Sequence, residues 1–473
     1  MIIGAEYYLD LLQEGRFRLS EEGPTFQNTV FGWIVSGRTS NTSVSVPVAA
    51  TTLCSTAELQ EQLARFWELE SCQLGSTYSI EESKCEEIFK QTTTRVEEGR
   101  FVVCLPRKRH IIEQLGESRR SAERRFISLE RRFATNPQLK KLYCEFMEEY
   151  SSMGHMKEVS EAELSGSVCY YLPHPAVLKP DSTTTKLRVV FDVSCKTTSG
   201  ASLNDGLMVG PVVQDDLVSI HARFRLRRIG IVADVAKMYQ MVKMCSRDQK
   251  LHLILWRKSS EQPIQTYQLT IVTYGTASAP FLATRCLVQL AGDGDSTHPV
   301  AANVLRKDFY VDDMITGVDN PEEGKKLVTE MVSLTDSAGF SLRKWNSKCE
   351  EVLTELQPHL RDNREVFEKN PPPPTDTVKT LGLVWCPPTD DFSFTVPKWS
   401  TTTEVTKRTV VSDASRLFDP LGLIGPVIVE AKIFIQTLWK LKVSWDDLLP
   451  ENLQAFWLEY RRNLNALESI SIQ

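Results

Sequence analysis

Phe309-Tyr310-Val311-Asp312-Asp313 is the stretch that decides how this chain is read. It lies within residues 303–318, an apolar alternating run that predicts two short strands with two adjacent carboxylates at the bend. Aspartate is depleted in strands, and neighbouring like charges repel, so the pair needs a cause beyond local structure. A divalent cation supplies one, since Mg²⁺ takes oxygen ligands and often shares them with substrate phosphates. The doublet alone is not specific, because Asp215-Asp216, Asp390-Asp391 and Asp446-Asp447 also occur. Its distant partners decide.

The bulk properties narrow the field. A chain of 473 residues has room for two to four domains at roughly 150 residues each. With 41% hydrophobic and 25% charged residues it is neither disordered nor a membrane protein by composition. A net charge of -6 argues against a protein that coats nucleic acid nonspecifically, but a local basic groove remains open. Residues 107–141 hold eleven Lys or Arg against four Glu. The eleven cysteines contain no Cys-x-x-Cys, which predicts reduced thiols rather than a disulfide framework or a zinc site. Glu6, Asp10 and Glu14 exclude a signal peptide, and Asp419, Pro420, Pro426, Glu430 and Lys432 interrupt the most apolar region.

Along the chain, residues 1–38 are rich in Gly and aromatics, and 39–56 read as a Ser/Thr/Val/Ala linker. Residues 57–164 are helical by pattern, with Phe126, Leu129, Phe133, Leu139, Leu142 and Phe146 at helical spacing among arginines. Residues 165–395 alternate strand-like and helical runs, interrupted by Pro371-Pro372-Pro373-Pro374, and 396–473 form a helical tail. No internal repeat occurs, and the mixture fits an α+β fold.

Three segments accompany the Asp pair. In residues 229–242 an apolar strand ends in Asp234, and Tyr239 follows five residues later. Taken alone, Asp234 is equally well explained as a helix cap after a strand. In residues 271–283 a strand, a small-residue turn with Gly275 and a helix opening at Pro280 are expected. Ala338-Gly339-Phe340 then leads to Lys344-Trp345, and Leu381-Gly382-Leu383-Val384-Trp385 comes later.

This order resembles the palm of a reverse transcriptase. Upstream, Leu172-Pro173-His174-Pro175-Ala176-Val177-Leu178-Lys179 and the run from Lys186 through Arg188 to Asp192 look like its fingers. With Ser202-Leu203-Asn204-Asp205-Gly206-Leu207 and residues 415–422, the blocks are similar to the Bel/Pao group of long-terminal-repeat retrotransposons. The resemblance implies a right-hand polymerase of fingers, palm and thumb. Residues 1–38 would be the C-terminal remnant of a retropepsin-like peptidase, 57–164 a helical extension, 165–395 fingers and palm, and 396–473 a truncated thumb- or connection-like region.

It further implies an RNA-directed DNA polymerase that adds dNTPs to a primer 3′-hydroxyl on an RNA or DNA template. The alternative is a catalytically silent relic of such an element that at most binds nucleic acid. Two Mg²⁺ ions, or Mn²⁺ in their place, would sit ~4 Å apart on Asp234, Asp312 and Asp313. Tyr239 would lie under the sugar and select deoxynucleotides, although a plain core tyrosine has the same signature. Lys179 and Arg188 match positions that meet the incoming triphosphate and base, Gly275 and Pro280 the template-side turn, and Lys344 a proton donor to pyrophosphate. Arg119, Arg120, Arg124, Arg125, Arg131 and Arg132 would follow the template-primer phosphates, or merely solvate a helix face. Tyr274 stands where many retroviral relatives carry Gln, and Lys237 where they carry an acid. These departures predict altered nucleotide contacts with the metal site kept. Other Gag and Pol products would be partners, in a cytoplasmic virus-like particle with a nuclear step and no membrane.

At the two ends the resemblance thins. No Asp-Ser/Thr-Gly occurs, so peptidase activity is not expected. Ser412-Asp413 is read as a helix N-cap, and no ribonuclease H is expected to fit before Gln473.

Overall fold

The computed structural model describes residues 11–18, 25–30, 32–36, 78–178, 187–361, 378–380, 383–394, 396, 404–417, 419 and 421–472. The chain divides into two compact units, Met1–Thr77 and Tyr78–Gln473. In the first, strands Leu12–Arg18, Thr25–Thr29 and Gly32–Ser36 form an antiparallel meander. Phe17 stacks on Phe26 at 4.9 Å between centroids. The expected linker at 39–56 lies outside the described residues.

The second unit mixes helices with small sheets, as an α+β chain should. The arginine-rich run is two helices, Arg119–Thr135 and Pro137–Ser152. They separate at Asn136, whose side chain accepts from Leu139 N at 3.0 Å, and Pro137 occupies the first turn, where its missing N–H costs nothing. Phe126, Leu129 and Phe133 are buried on one face, leaving the intervening arginines outside.

The central sheet has the order Phe309–Tyr310, Asp313–Val318, Ile229–Val235, Leu342–Ser347, with each neighbouring pair antiparallel. Side chains alternate across it. Ile231, Ala233, Val235 and Met314 enter the main core. Val232 and Ile315 point the other way, against Ile220, Phe224, Trp385 and Phe392. Gly230 lies on that second face, where an added Cβ would come within 2.7 Å of the Phe224 ring and 2.9 Å of Trp385. The close approach of the Leu217–Arg225 helix therefore requires glycine there.

One expected strand is shortened and another is absent. Residues 303–307 belong to the helix Pro299–Lys307, so the hairpin's first strand shrinks to Phe309–Tyr310. Residues 271–274 form no strand; Ile271 makes a single bridge to Lys243. The helix expected beyond them is Ala279–Gly294.

Candidate active site

The register of the hairpin sets the site. Asp313 stands directly opposite Asp234, and Ile315 opposite Val232, so both carboxylates share the sheet face that carries Val232 and Ile315. The apolar cover on that face comes from Trp385 and the Leu217–Arg225 helix, and Asp234 and Asp313 remain partly open to solvent at its end. Directly opposed residues in an antiparallel pair hold their Cβ atoms about 5 Å apart, a placement that destabilises like charges. Asp312 sits at the bend, where its carbonyl accepts from Val235 N at 2.8 Å.

Asp234 acts on both carboxylates of the hairpin. Burial, followed by the charges of Asp312 and Asp234, pushes Asp313 up to about 7, against a smaller opposing pull from Lys344. Asp312 is also raised, first by burial and then by Asp234. Asp234 Oδ2 accepts from Lys344 Nζ at 2.6 Å, whereas its Oδ1 is buried with no hydrogen-bond partner. Lys344 reaches it from an irregularity in the Leu342–Ser347 strand, where the register shifts between Arg343 and Asn346 and Lys344 takes φ 52°. An orphaned carboxylate oxygen beside two carboxyls of raised proton affinity is a donor set suited to a hard divalent cation. The three do not reach the 4.8 Å mutual spacing of the tight Cys104–Cys245–Asp248 group found elsewhere among the described residues. Repulsion, with one oxygen taken by Lys344, accounts for the looser set.

Beside the carboxylates, the Tyr239 and Tyr274 rings lie 4.7 Å apart between centroids at 49°. Burial, then the Asp312 charge, pushes Tyr239 up to about 12. The same two causes raise Tyr274, and Arg188 opposes them, which puts that exposed guanidinium within electrostatic reach of the site. Lys179 lies outside the described residues. Gly275 has φ +92°, and a Cβ there would meet Phe191 O at 2.9 Å. Pro280 is exposed in the first turn of Ala279–Gly294. Lys237, at φ 53°, pairs with Glu149.

Two positioning residues escaped the sequence reading. Asn204 pins the turn before that helix, donating to Gly275 O at 2.9 Å and accepting from Ala277 N at 2.8 Å. Gln214 clamps the hairpin, accepting from Val311 N at 2.7 Å and donating to Val311 O at 3.4 Å. Val311 is β-branched yet has φ 55°, a costly conformation that this clamp helps to hold. Asn204 carried a signal, as a turn-forming residue in a segment already singled out. Gln214 carried none.

The arginines of the Arg119–Thr135 helix do not act alike. Arg119 pairs with Glu161 and Arg125 with Asp192, the latter at 2.6 Å. Arg120 and Arg124 line a groove of about 630 Å³ with Lys196. Arg131 and Arg132 are exposed and make no ion pair among the described residues.

The C-terminal helices Lys407–Ala414, Gly425–Lys440 and Glu451–Asn463 close over Val410, Phe434, Leu438 and Trp457. Thr406, not Ser412-Asp413, caps the first of them. Asp413 sits in the last turn, buried, and its Oδ2 accepts from Arg461 Nε at 2.7 Å and Trp457 Nε1 at 3.1 Å. That carboxylate holds helices together and is not presented to a substrate. Among the described residues no helix is long and apolar enough to cross a membrane. No curated protein matches the chain. Residues 406–473, where a thumb- or connection-like region was expected and a ribonuclease H was not, match the family described as the Pao retrotransposon-like RNaseH-like domain, which corrects that expectation. The match supports an origin in the Pol region of a Pao/Bel retrotransposon and a likeness to enzymes that process nucleic acid.

Proposed function

We propose that residues 78–395 are the polymerase part of a Pao/Bel-type Pol protein, an RNA-directed DNA polymerase that extends a primer 3′-hydroxyl with dNTPs, with the RNaseH-like segment 406–473 following it. The observation that carries this reading is the cross-strand opposition of Asp234 and Asp313, with Asp312 at the adjoining bend. A fold gains nothing from stacking three carboxylates, and polymerisation needs such a group. On this reading Asp234, Asp312 and Asp313 would hold two Mg²⁺ ions, which when bound would supply activation of the primer hydroxyl and charge neutralisation at the triphosphate. Tyr239 and Tyr274 floor the nucleotide beside them, Arg188 faces its phosphates, and Gly275 lets the template base approach. Lys344, which pairs with Asp234 Oδ2, would give its proton to departing pyrophosphate. The Arg120, Arg124, Arg131 and Arg132 side chains take template-primer phosphates. The N-terminal meander is the peptidase remnant.

Primer extension on an RNA template tests the reading. Wild type should incorporate dNTPs with Mg²⁺, and Asp312→Asn should lose at least about 10³-fold, the equivalent of several kcal/mol of barrier. Absence of incorporation by wild type, or equal incorporation by the variant, removes the proposal.

A further inference from the structure

Away from the carboxylates, two thiols face each other across paired strands. Phe101–Val103 and Lys243–Met244 run parallel, with Val102 opposite Lys243 and Val103 opposite Met244. One residue further on, this register brings Cys104 beside Cys245, and Cys245 N donates to Val103 O at 2.8 Å. Neighbouring strands lie about 4.8 Å apart, inside the Cα separation that a disulfide spans. The two sulfurs and an Asp248 oxygen lie within 4.8 Å of one another. Asp248, wholly buried, fixes the arrangement: its Oδ2 accepts from Leu105 N at 2.7 Å and from Cys245 Sγ at 3.1 Å, and Arg107 pairs with its Oδ1 at 3.1 Å.

We infer that Cys104 and Cys245 are a reversible redox couple, oxidised by hydrogen peroxide to a disulfide that ties the strand beyond Tyr239 to the Phe101–Val103 strand. Peroxide oxygen adds to the Cys104 sulfur to give a sulfenic acid, releasing the first water. The Cys245 sulfur then attacks that sulfur, and its proton leaves with the departing hydroxide as the second water. Two thiols and one peroxide thus give one disulfide and two waters.

The surroundings divide the roles. The Cys245 neighbour lowers the proton affinity of Cys104, whereas Cys104, burial and the Asp248 carboxylate raise that of Cys245. Arg247 adds to the lowering at Cys104. Burial instead raises Cys85, Cys144, Cys169 and Cys286, which favours their inert thiol form. The same Arg107 and Arg247 charges oppose a metal cation at this group, so its two sulfurs are placed for oxidation rather than for ligation.

Trypsin isolates each cysteine, since residues 101–107 contain only Cys104 and residues 244–247 only Cys245. The reduced full chain is treated with stoichiometric peroxide, blocked with N-ethylmaleimide under denaturing conditions and digested without reductant. The expected product is the linked pair of these two peptides, two hydrogens lighter than their sum and separated again by dithiothreitol. Cys245→Ser should instead leave a Cys104 sulfenic acid that dimedone traps. The wild-type digest alone decides the matter even where a variant fails to fold. Overturning results are both peptides recovered as maleimide adducts after peroxide, or a stoichiometric Zn²⁺ retained by the purified chain that shields both thiols.

Discussion

Replacing Asp313 by Asn keeps its shape and removes its charge, so it isolates the electrostatic stress at the site. In the folded chain this carboxyl titrates at about 7 against an ordinary 3.8. The native state therefore holds the proton more tightly than the unfolded one. The associated stability is fully present below 3.8 and is lost as pH rises through about 7. The whole interval corresponds to about 4 kcal/mol, and about 2–3 kcal/mol of it falls between pH 5 and pH 8. The groups facing Asp313 are Asp312, Asp234 and Lys344.

Buried His155, His174 and His252 have lowered proton affinities and slope the other way, losing stability towards acid. They are common to both proteins, so the difference between wild type and variant cancels them. Urea unfolding in EDTA at several pH values should show Asp313→Asn the more stable, with the gap widening by about 2–3 kcal/mol from pH 5 to pH 8. Saturating Mg²⁺ should raise wild-type stability more at pH 8 than at pH 6. A gap that stays flat with pH would mean that Asp313 is not under stress from its neighbours, and the account of the site would fail with it.

Three further substitutions probe the scaffold. Gly275→Ala places a Cβ 2.9 Å from Phe191 O at a φ of +92° and should cost about 1–3 kcal/mol in urea unfolding; a loss below about 0.5 kcal/mol would show the turn to be pliable. Asn204→Ala removes the acceptor for Ala277 N and a donor to Gly275 O, and should cost about 1–3 kcal/mol. Asn204→Ala should also lower primer extension without altering the number of Mg²⁺ ions bound, as measured by calorimetry. Asp413→Ala removes the acceptor of both Arg461 and Trp457 from a buried setting and should cost about 3–5 kcal/mol; unchanged thermal stability would refute a structural role for that carboxylate.

How far the sequence could be read depended on whether a residue announces a cost locally. Asp312 and Asp313 do so, because adjacent charges in an apolar run repel, whereas Asp234 alone reads equally well as a helix cap; the structure sets Asp234 and Asp313 on facing strands. The shortening of the hairpin's first strand has the opposite origin: Asn303 to Lys307 is short enough to satisfy periods of 2 and 3.6 alike, and His298 and Pro299 open it as a helix. Ile271-Val272-Thr273-Tyr274 has strong strand propensity, yet it makes one bridge at Ile271 and one further backbone bond from Val272 N to Val242 O, so tertiary pairing overrode composition. Ser412-Asp413 looks like a cap, but Thr406 already fills that role six residues earlier. Gln214 and Asn204 act on backbone 97 and 71 residues away, a separation that no local pattern encodes.

The backbone repeats what the carboxylates say. Among the described residues five non-glycines have positive φ, and three of them, Lys237, Val311 and Lys344, border this site. Each conformation costs on the order of 1 kcal/mol or more, and each has a restraint opposing it: Glu149 on Lys237, Gln214 on Val311, Asp234 on Lys344. The two-residue turn between Tyr310 and Asp313 asks for a positive φ at its first position, yet a β-branched valine stands there where glycine or asparagine would cost less. Relaxing Lys344 would restore a regular ladder beside Ile229–Val235. Opposed like charges and left-handed side-chain-bearing residues are separate kinds of cost, arising from different parts of the chain. Their coincidence at one end of one sheet is a reason, beyond the carboxylates alone, for proposing a reaction there.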